Sequence, residues 1–318
     1  MSEGSGRAHA PGGRRESAAL RTAGSGPPQD GAARFRTRTR LRRGIGLAFA
    51  ILCVAATWIG IVALGVLLVD IWHDGGAWLS WDFITSFPSR LAERAGILPA
   101  LAGSLWVLVL TACVAFPIGV GTAIWLVEYA PDSRWNRIIQ TNIANLAGVP
   151  SVVYGLLGLA VFVRALALGR SILAGALTLA LLILPVIIIA AQEAIRAVPV
   201  SIREGAYALG ATRWQTVRHQ VLPIALPGIL TGTILSLSRA IGETAPLIVI
   251  GAAAFVPFVP ARPSDAFTVL PIQIFNWISR PQAEFHHLAA AGILVLLVVL
   301  LGMNAVAILL RNRYAKKL

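Results

Sequence analysis

Six long runs of apolar residues, almost free of charge, leave few folds open to this chain. They lie at about 45 to 69, 99 to 127, 138 to 163, 171 to 192, 223 to 250 and 288 to 310. Roughly 20 consecutive apolar residues cross the hydrocarbon of a bilayer, and each run reaches or exceeds that length. Lipid offers no partner to a backbone N–H or C=O, so such runs become helices. With 57% hydrophobic and 13% charged residues among 318, a water-soluble domain would have no polar shell. The expectation is an all-α, polytopic membrane helical bundle with six transmembrane helices. The loop between spans four and five is expected on the cytoplasmic side.

The net charge of +13 does not point to nucleic acid, because ten of the basic residues fall in one flank, Arg7 to Arg43, with no aromatic-interleaved basic surface after it. Lys and Arg collect on the cytoplasmic side of membrane spans. With the N-terminus inside, the inner segments hold that flank together with Arg134, Arg137, Arg196, Arg203, Arg213, Arg218, Arg311, Arg313, Lys316 and Lys317. The outer segments hold Arg90, Arg94, Arg164, Arg170, Arg262 and Arg280. The asymmetry predicts both termini in the cytoplasm of a multi-pass inner-membrane protein.

Along the chain this gives a disordered basic tail at 1–43, a first transmembrane helix at 44–70 and an external loop at 71–96. A core of five further helices follows at 97–311, then a cytoplasmic tail at 312–318. The first run is too long for a signal-peptide core and is expected to stay as an anchor. Pro99, Pro117 and Pro185 interrupt apolar runs and predict kinks. Cys53 and Cys113 fall inside apolar runs and supply neither a disulfide framework nor a metal set; no cofactor is implied. The Pro-rich but apolar stretch from Gly251 to Phe285 reads as a structured external loop.

Between spans four and five, residues Pro199 to Pro223 read PVSIREGAYALGATRWQTVRHQVLP. Ser201 with Glu204 and Thr212 with Gln215 have the spacing of capping boxes, and Gly210 between them suits a left-handed helix stop. The pattern predicts helix, tight turn, helix. Ile202, Ala206 and Leu209 share one apolar face, and Trp214, Val217 and Val221 share another, with Arg203, Arg213, Arg218 and His219 off both. Glu204, Ala206, Gly210 and the closing Leu222-Pro223 resemble the EAA signature of binding-protein-dependent ABC importer permeases. Gly205 and Gln220 depart from it. The resemblance implies that this loop is a coupling helix received by a separate ATPase subunit.

Arg239 and Glu243, four residues apart in the fifth run, are expected on one helix face pointing into the bundle, since a charge facing lipid costs about 2.5–3.5 kcal/mol. Gly232, Ser236 and Pro246 extend that stripe. Two readings stand: an internal ion pair that holds helices together, or a guanidinium fork for phosphate oxygens poised by the carboxylate. The surrounding SLSRAIGETAPLIVIG is similar to the PstA-type permeases of bacterial phosphate importers, as are LVEYAPDSRWNRI, NIANLAGVPSVVYGLLGLAVFV, LPIQIFNWISRPQAEFHHLAAAGILVLL and MNAVAILLRNRY.

That resemblance implies a substrate pathway through Arg239, Glu243 and Ser236, and coupling through Glu204, Ala206, Gly210, Leu222 and Pro223. It further implies a PstC-like second permease subunit, two PstB-like ATPases and a PstS-like external phosphate-binding protein. The alternatives are a permease for another oxyanion such as molybdate or sulfate, or an ATP-independent secondary transporter. Lys316 and Lys317 are the only lysines, so the chain has no phosphate-cradling loop ending in Lys-Ser or Lys-Thr. It is not itself an ATPase of that kind.

Overall fold

The computed structural model describes residues 30–252 and 255–315, and among these residues it contains twelve α-helices and no strand. The first helix, α1, covers Asp30–Gly75; α2 is Trp81–Thr85 and α3 is Leu98–Ile124. Then follow α4 (Arg134–Ala147), α5 (Ser151–Gly158), α6 (Ile172–Arg196), α7 (Val200–Ala208) and α8 (Arg213–Thr216). The chain closes with α9 (Leu222–Gly242), α10 (Ala245–Ile250), α11 (Leu270–Ile278) and α12 (Ala283–Ala315). Residues 1–29 of the expected disordered tail lie outside the described residues. The rest of that stretch is helical and continues the first span without a break.

The described chain falls into two compact units, one up to Val66 and one from Leu67 onward. In the second unit α6 is the axis. Fifteen of its 25 residues are buried, and α3, α4, α5 and α9 pack around it. Small residues set how close these helices come, as they do where packing rather than water drives association. At Gly158 a Cβ would lie 2.1 Å from Thr178 Oγ1, so no larger side chain fits between α5 and α6.

Five helical runs are long and apolar enough to cross a membrane, and the bent pair α4 and α5 is either a sixth, broken crossing or a re-entrant loop. The expected continuous third span, 138 to 163, is therefore corrected. The chain turns by 102° at Gly148-Val149-Pro150. Pro150 has no N–H to give and pushes Val149 out of the helical region. The freed Leu146 carbonyl accepts Val149 N at 3.1 Å and the Tyr154 hydroxyl at 2.8 Å, which pins the bend.

The prolines divide by position. Pro99 lies in the first turn of α3, where a missing N–H costs nothing, and so starts the helix instead of kinking it. Pro117 and Pro185 lie inside α3 and α6 as expected. The expected external loops are folded. Trp277 of α11 is fully buried beside Phe83 of α2 and Leu288 of α12 in one apolar cluster. Asp265 accepts the backbone N–H groups of Ala261 and Arg262 at 3.0 and 2.9 Å, and these bonds hold its carboxyl below the usual carboxylate range. The Asp265 carbonyl in turn accepts Ile172 N at the start of α6.

Candidate functional site: the loop between α6 and α9 and a charged helix end

The loop between α6 and α9 folds as helix, turn, helix, but its two ends are built differently from expectation. Ser201 and Glu204 form no capping box: α7 starts at Val200 after Pro199, and no side chain caps it. Proline's fixed φ already sets the entry angle, which moves Ser201 inside the first turn. Glu204 is exposed and makes no ion pair among the described residues. The second box is present. Thr212 Oγ1 accepts Gln215 N at 3.4 Å, and Gln215 Oε1 accepts Thr212 N at 2.8 Å.

Between them Gly210 has φ +83°, as its position required. Its N–H donates to Tyr207 O and that of Ala211 to Ala206 O, the paired closure of a Schellman motif. Ala206 is half-buried on the inner side of this turn, whereas Leu209 projects at its tip, 90% exposed. Trp214 is also exposed, while Val217 and Val221 are buried, so the second apolar stripe splits between an outward tip and an inward seam. Ala206, Leu209, Ala211, Gln215 and His219 line one shallow hollow.

Leu222-Pro223 does not close the loop. From Arg213 to Gly242 the helix is continuous, with a π turn at Val217–Val221. Pro223 cannot donate to the carbonyl four residues back, and the register widens there: Leu222 N reaches Val217 O instead.

The basic face is also rearranged. Arg203 turns inward, donating through Nε (3.1 Å) and Nη2 (2.8 Å) to Glu128 Oε1 in the π turn Trp125–Tyr129 that ends α3. It also donates to the carbonyls of Val198 (2.7 Å) and Ile195 (2.9 Å) at the end of α6. Glu128 is 6% exposed and Arg203 15%. Removing one partner of such a buried pair costs about 3–5 kcal/mol. Sequence reading missed this pair, although an acidic residue ending an apolar run was a signal that a partner is needed. Arg213 lies over the Tyr129 ring at 5.3 Å.

The second candidate site is at the other end of the same continuous helix. Arg239 is in the last turn of α9 and Glu243 is the residue after it, so the pair marks a break rather than the middle of a span. Pro246 accounts for the break, since it has no N–H for the carbonyl of Gly242, four residues back, and its ring clashes there, so the helix ends and α10 begins afresh around the proline. Arg239 Nε donates to Glu243 Oε1 at 3.3 Å. The expectation that both point into the chain's own bundle is not met. Glu243 is 18% exposed, but Arg239 is 55% exposed.

Nor does the small-residue stripe line an open path beside them. Ser236 is buried and its hydroxyl donates to Gly232 O at 2.8 Å. A Cβ on Gly232 would lie 2.3 Å from Ala190 Cβ, and Pro246 is packed under Gly155. These residues serve close helix packing. Asn304 of α12 accepts a hydrogen bond from the Ser238 hydroxyl of α9, joining the two helices. His286 contacts Arg280 O, and His287 stacks on Trp78.

Comparison with known proteins gives these features a context. The family described as "Binding-protein-dependent transport system inner membrane component" matches residues 115–317. The "Probable ABC transporter permease protein YqgI" of Bacillus subtilis is 34% identical over 287 residues, covering 86% of this chain and 94% of that protein. The "Phosphate transport system permease protein PstA 1" of Mycobacterium tuberculosis H37Rv is 33% identical over 282 residues, covering 86% and 89% respectively. Among solved structures, a bacterial ABC transporter involved in import of the acidic polysaccharide alginate superposes with a TM-score of 0.58 at 18% identity, over 87% of this chain and 99% of that one. At that identity the likeness speaks to the fold.

Proposed function

This chain belongs to the binding-protein-dependent transport system inner membrane components, and from that footing we propose that it is the PstA-type permease subunit of an ATP-driven importer of inorganic phosphate. Both termini face the cytoplasm, and the α7–α8 loop docks into an ATPase subunit there. Hydrolysis belongs to two such partners, because the chain's lysines stand only at 316 and 317. A second, PstC-like permease completes the pathway, and an external PstS-like protein delivers phosphate to it.

The observation that carries the phosphate reading is Arg239. Among the described residues its one side-chain bond is through Nε to Glu243, which leaves the Nη donors open at a helix end. A guanidinium presents those donors in the plane that phosphate oxygens match. Glu243 keeps the fork oriented and limits how tightly an anion is held, since a pathway must release what it admits. The exposed side of Arg239 needs covering, and the second permease supplies the cover. Closure of the ATPases shifts the docked loops and switches the two permeases between outward-facing and inward-facing states.

The test is uptake by the reconstituted complex. Arg239→Ala is expected to abolish phosphate uptake while membrane insertion and assembly persist; full uptake by that variant removes Arg239 from the mechanism. Competition by sulfate or molybdate stronger than by phosphate assigns another oxyanion. Uptake without any ATPase subunit identifies a secondary transporter.

A further inference from the structure

We propose that the C-terminal π turn of α3, through Glu128 and Tyr129, is a clamp that carries movement of the α7–α8 loop into the second span, in parallel with the route through α9. The inference rests on the reading that this loop docks an ATPase, and it assigns positioning roles to four residues in the response to that docking.

Two adjacent residues of the turn hold one arginine from each helix of the loop. Glu128 takes Arg203 of α7 by two charge-assisted bonds to one carboxylate oxygen, at 2.8 and 3.1 Å. Tyr129 takes Arg213, the first residue of α8, against its ring at 5.3 Å. The same Arg203 side chain donates to the carbonyls of Ile195, in the last turn of α6, and of Val198, two residues past its end, where the helix dipole favours a cation. Three elements therefore meet at one guanidinium: the docking helix, the end of the central helix and the end of the second span.

The π turn itself adds a second observation. It widens the last turn of α3 by one residue, Ala130 N reaching back to Trp125 O, and single π turns of this kind recur at functional positions. Glu128 is buried with Leu126, while Tyr129 remains half-buried beside it. Held on both sides of Gly210, the loop cannot tilt as a unit without pulling on α3 or breaking a buried ion pair. Exposed Leu209 and Glu204 are left free for a partner, whereas Arg203, turned inward, and Arg213, at the surface over the Tyr129 ring, are engaged by the chain itself.

The proposal separates coupling from docking, and the experiment reads both. The full complex is placed in proteoliposomes, and phosphate moved per ATP hydrolysed is measured together with retention of the ATPase subunit on purification. Glu128→Gln and Tyr129→Leu are each expected to keep the ATPase bound and hydrolysing while lowering phosphate per ATP several-fold. Tyr129→Phe, which keeps the ring face, is expected to retain the wild-type ratio, and the exchange Glu128→Arg with Arg203→Glu to recover part of it. An unchanged ratio in Glu128→Gln and Tyr129→Leu overturns the clamp, as does a parallel fall of transport and hydrolysis that the Phe variant shares. Tyr129→Leu keeps the test open even if Glu128→Gln fails to fold. A wild-type complex that recruits no ATPase overturns the importer reading itself, and the clamp with it.

Discussion

Replacing Gly210 by alanine, asparagine and valine measures how much the proposed docking of the α7–α8 loop depends on one backbone conformation. The residue has φ +83°, and an added Cβ would meet nothing within 4 Å, so any effect comes from backbone strain and not from a clash. An L-residue in the left-handed region is strained by about 1–2 kcal/mol, whereas asparagine visits it readily. If the strain is relieved by opening the Schellman closure, the bonds from Gly210 N and Ala211 N are lost and α7 no longer holds its angle to α8. One or two kcal/mol is roughly a 5- to 30-fold change in an equilibrium. ATPase-subunit affinity, titrated against the permease complex in lipid nanodiscs, is therefore expected to fall by about that factor for Gly210→Ala, less for Gly210→Asn and more for Gly210→Val. Equal affinity for glycine and alanine, or asparagine binding as poorly as valine, refutes the argument that turn geometry sets the docking surface.

Gly158→Ala places a methyl 2.1 Å from Thr178 Oγ1, and overpacking of this kind costs about 1–3 kcal/mol, so the detergent-solubilised protein is expected to melt at a clearly lower temperature than wild type. Asp265 tests a loop instead of a helix pair. Because its carboxyl is held below the ordinary carboxylate range by the N–H groups of Arg262 and Ala261, its contribution is complete above the unfolded-state value, near 4, and disappears as pH falls through the lowered folded-state value. Hydrogen exchange at the Ala261 and Arg262 amides is thus expected to stay slow at mildly acid pH, and Asp265→Asn to speed it at neutral pH; equal protection in the variant contradicts the assignment.

Much of the fold is visible in the chain because lipid tolerates few solutions, and uncharged runs of sufficient length can only be helices. The turn at Gly210 and the Thr212–Gln215 box were also legible, since both follow from local stereochemistry. What escaped depended on proline and on distance. Pro199, Pro150 and Pro246 each moved a boundary, cancelling the Ser201–Glu204 box, bending the chain between α4 and α5 and ending the fifth helix at Gly242, while at Pro223 that helix ran on into the loop through a π turn. The pattern of apolar residues is blind to such choices, because it is identical on either side of the break. Glu128 and Arg203 lie 75 positions apart, so no spacing rule could join them. Ser236 and Gly232 looked like a polar track on a helical wheel, and the neighbour that fills the space, Ala190, belongs to another helix.

The unbroken helix from Arg213 to Gly242 has a kinetic consequence. At 1.5 Å per residue it is a rod of about 45 Å, with the Gly210 turn just before one tip and the guanidinium of Arg239 near the other. The run passes through the π turn at Val217–Val221 and past Pro227 without ending, so on the proposed docking a displacement of the near tip reaches the far one through a single element. A mutation that inserts a pliable joint midway would leave both tips chemically intact and still desynchronise them.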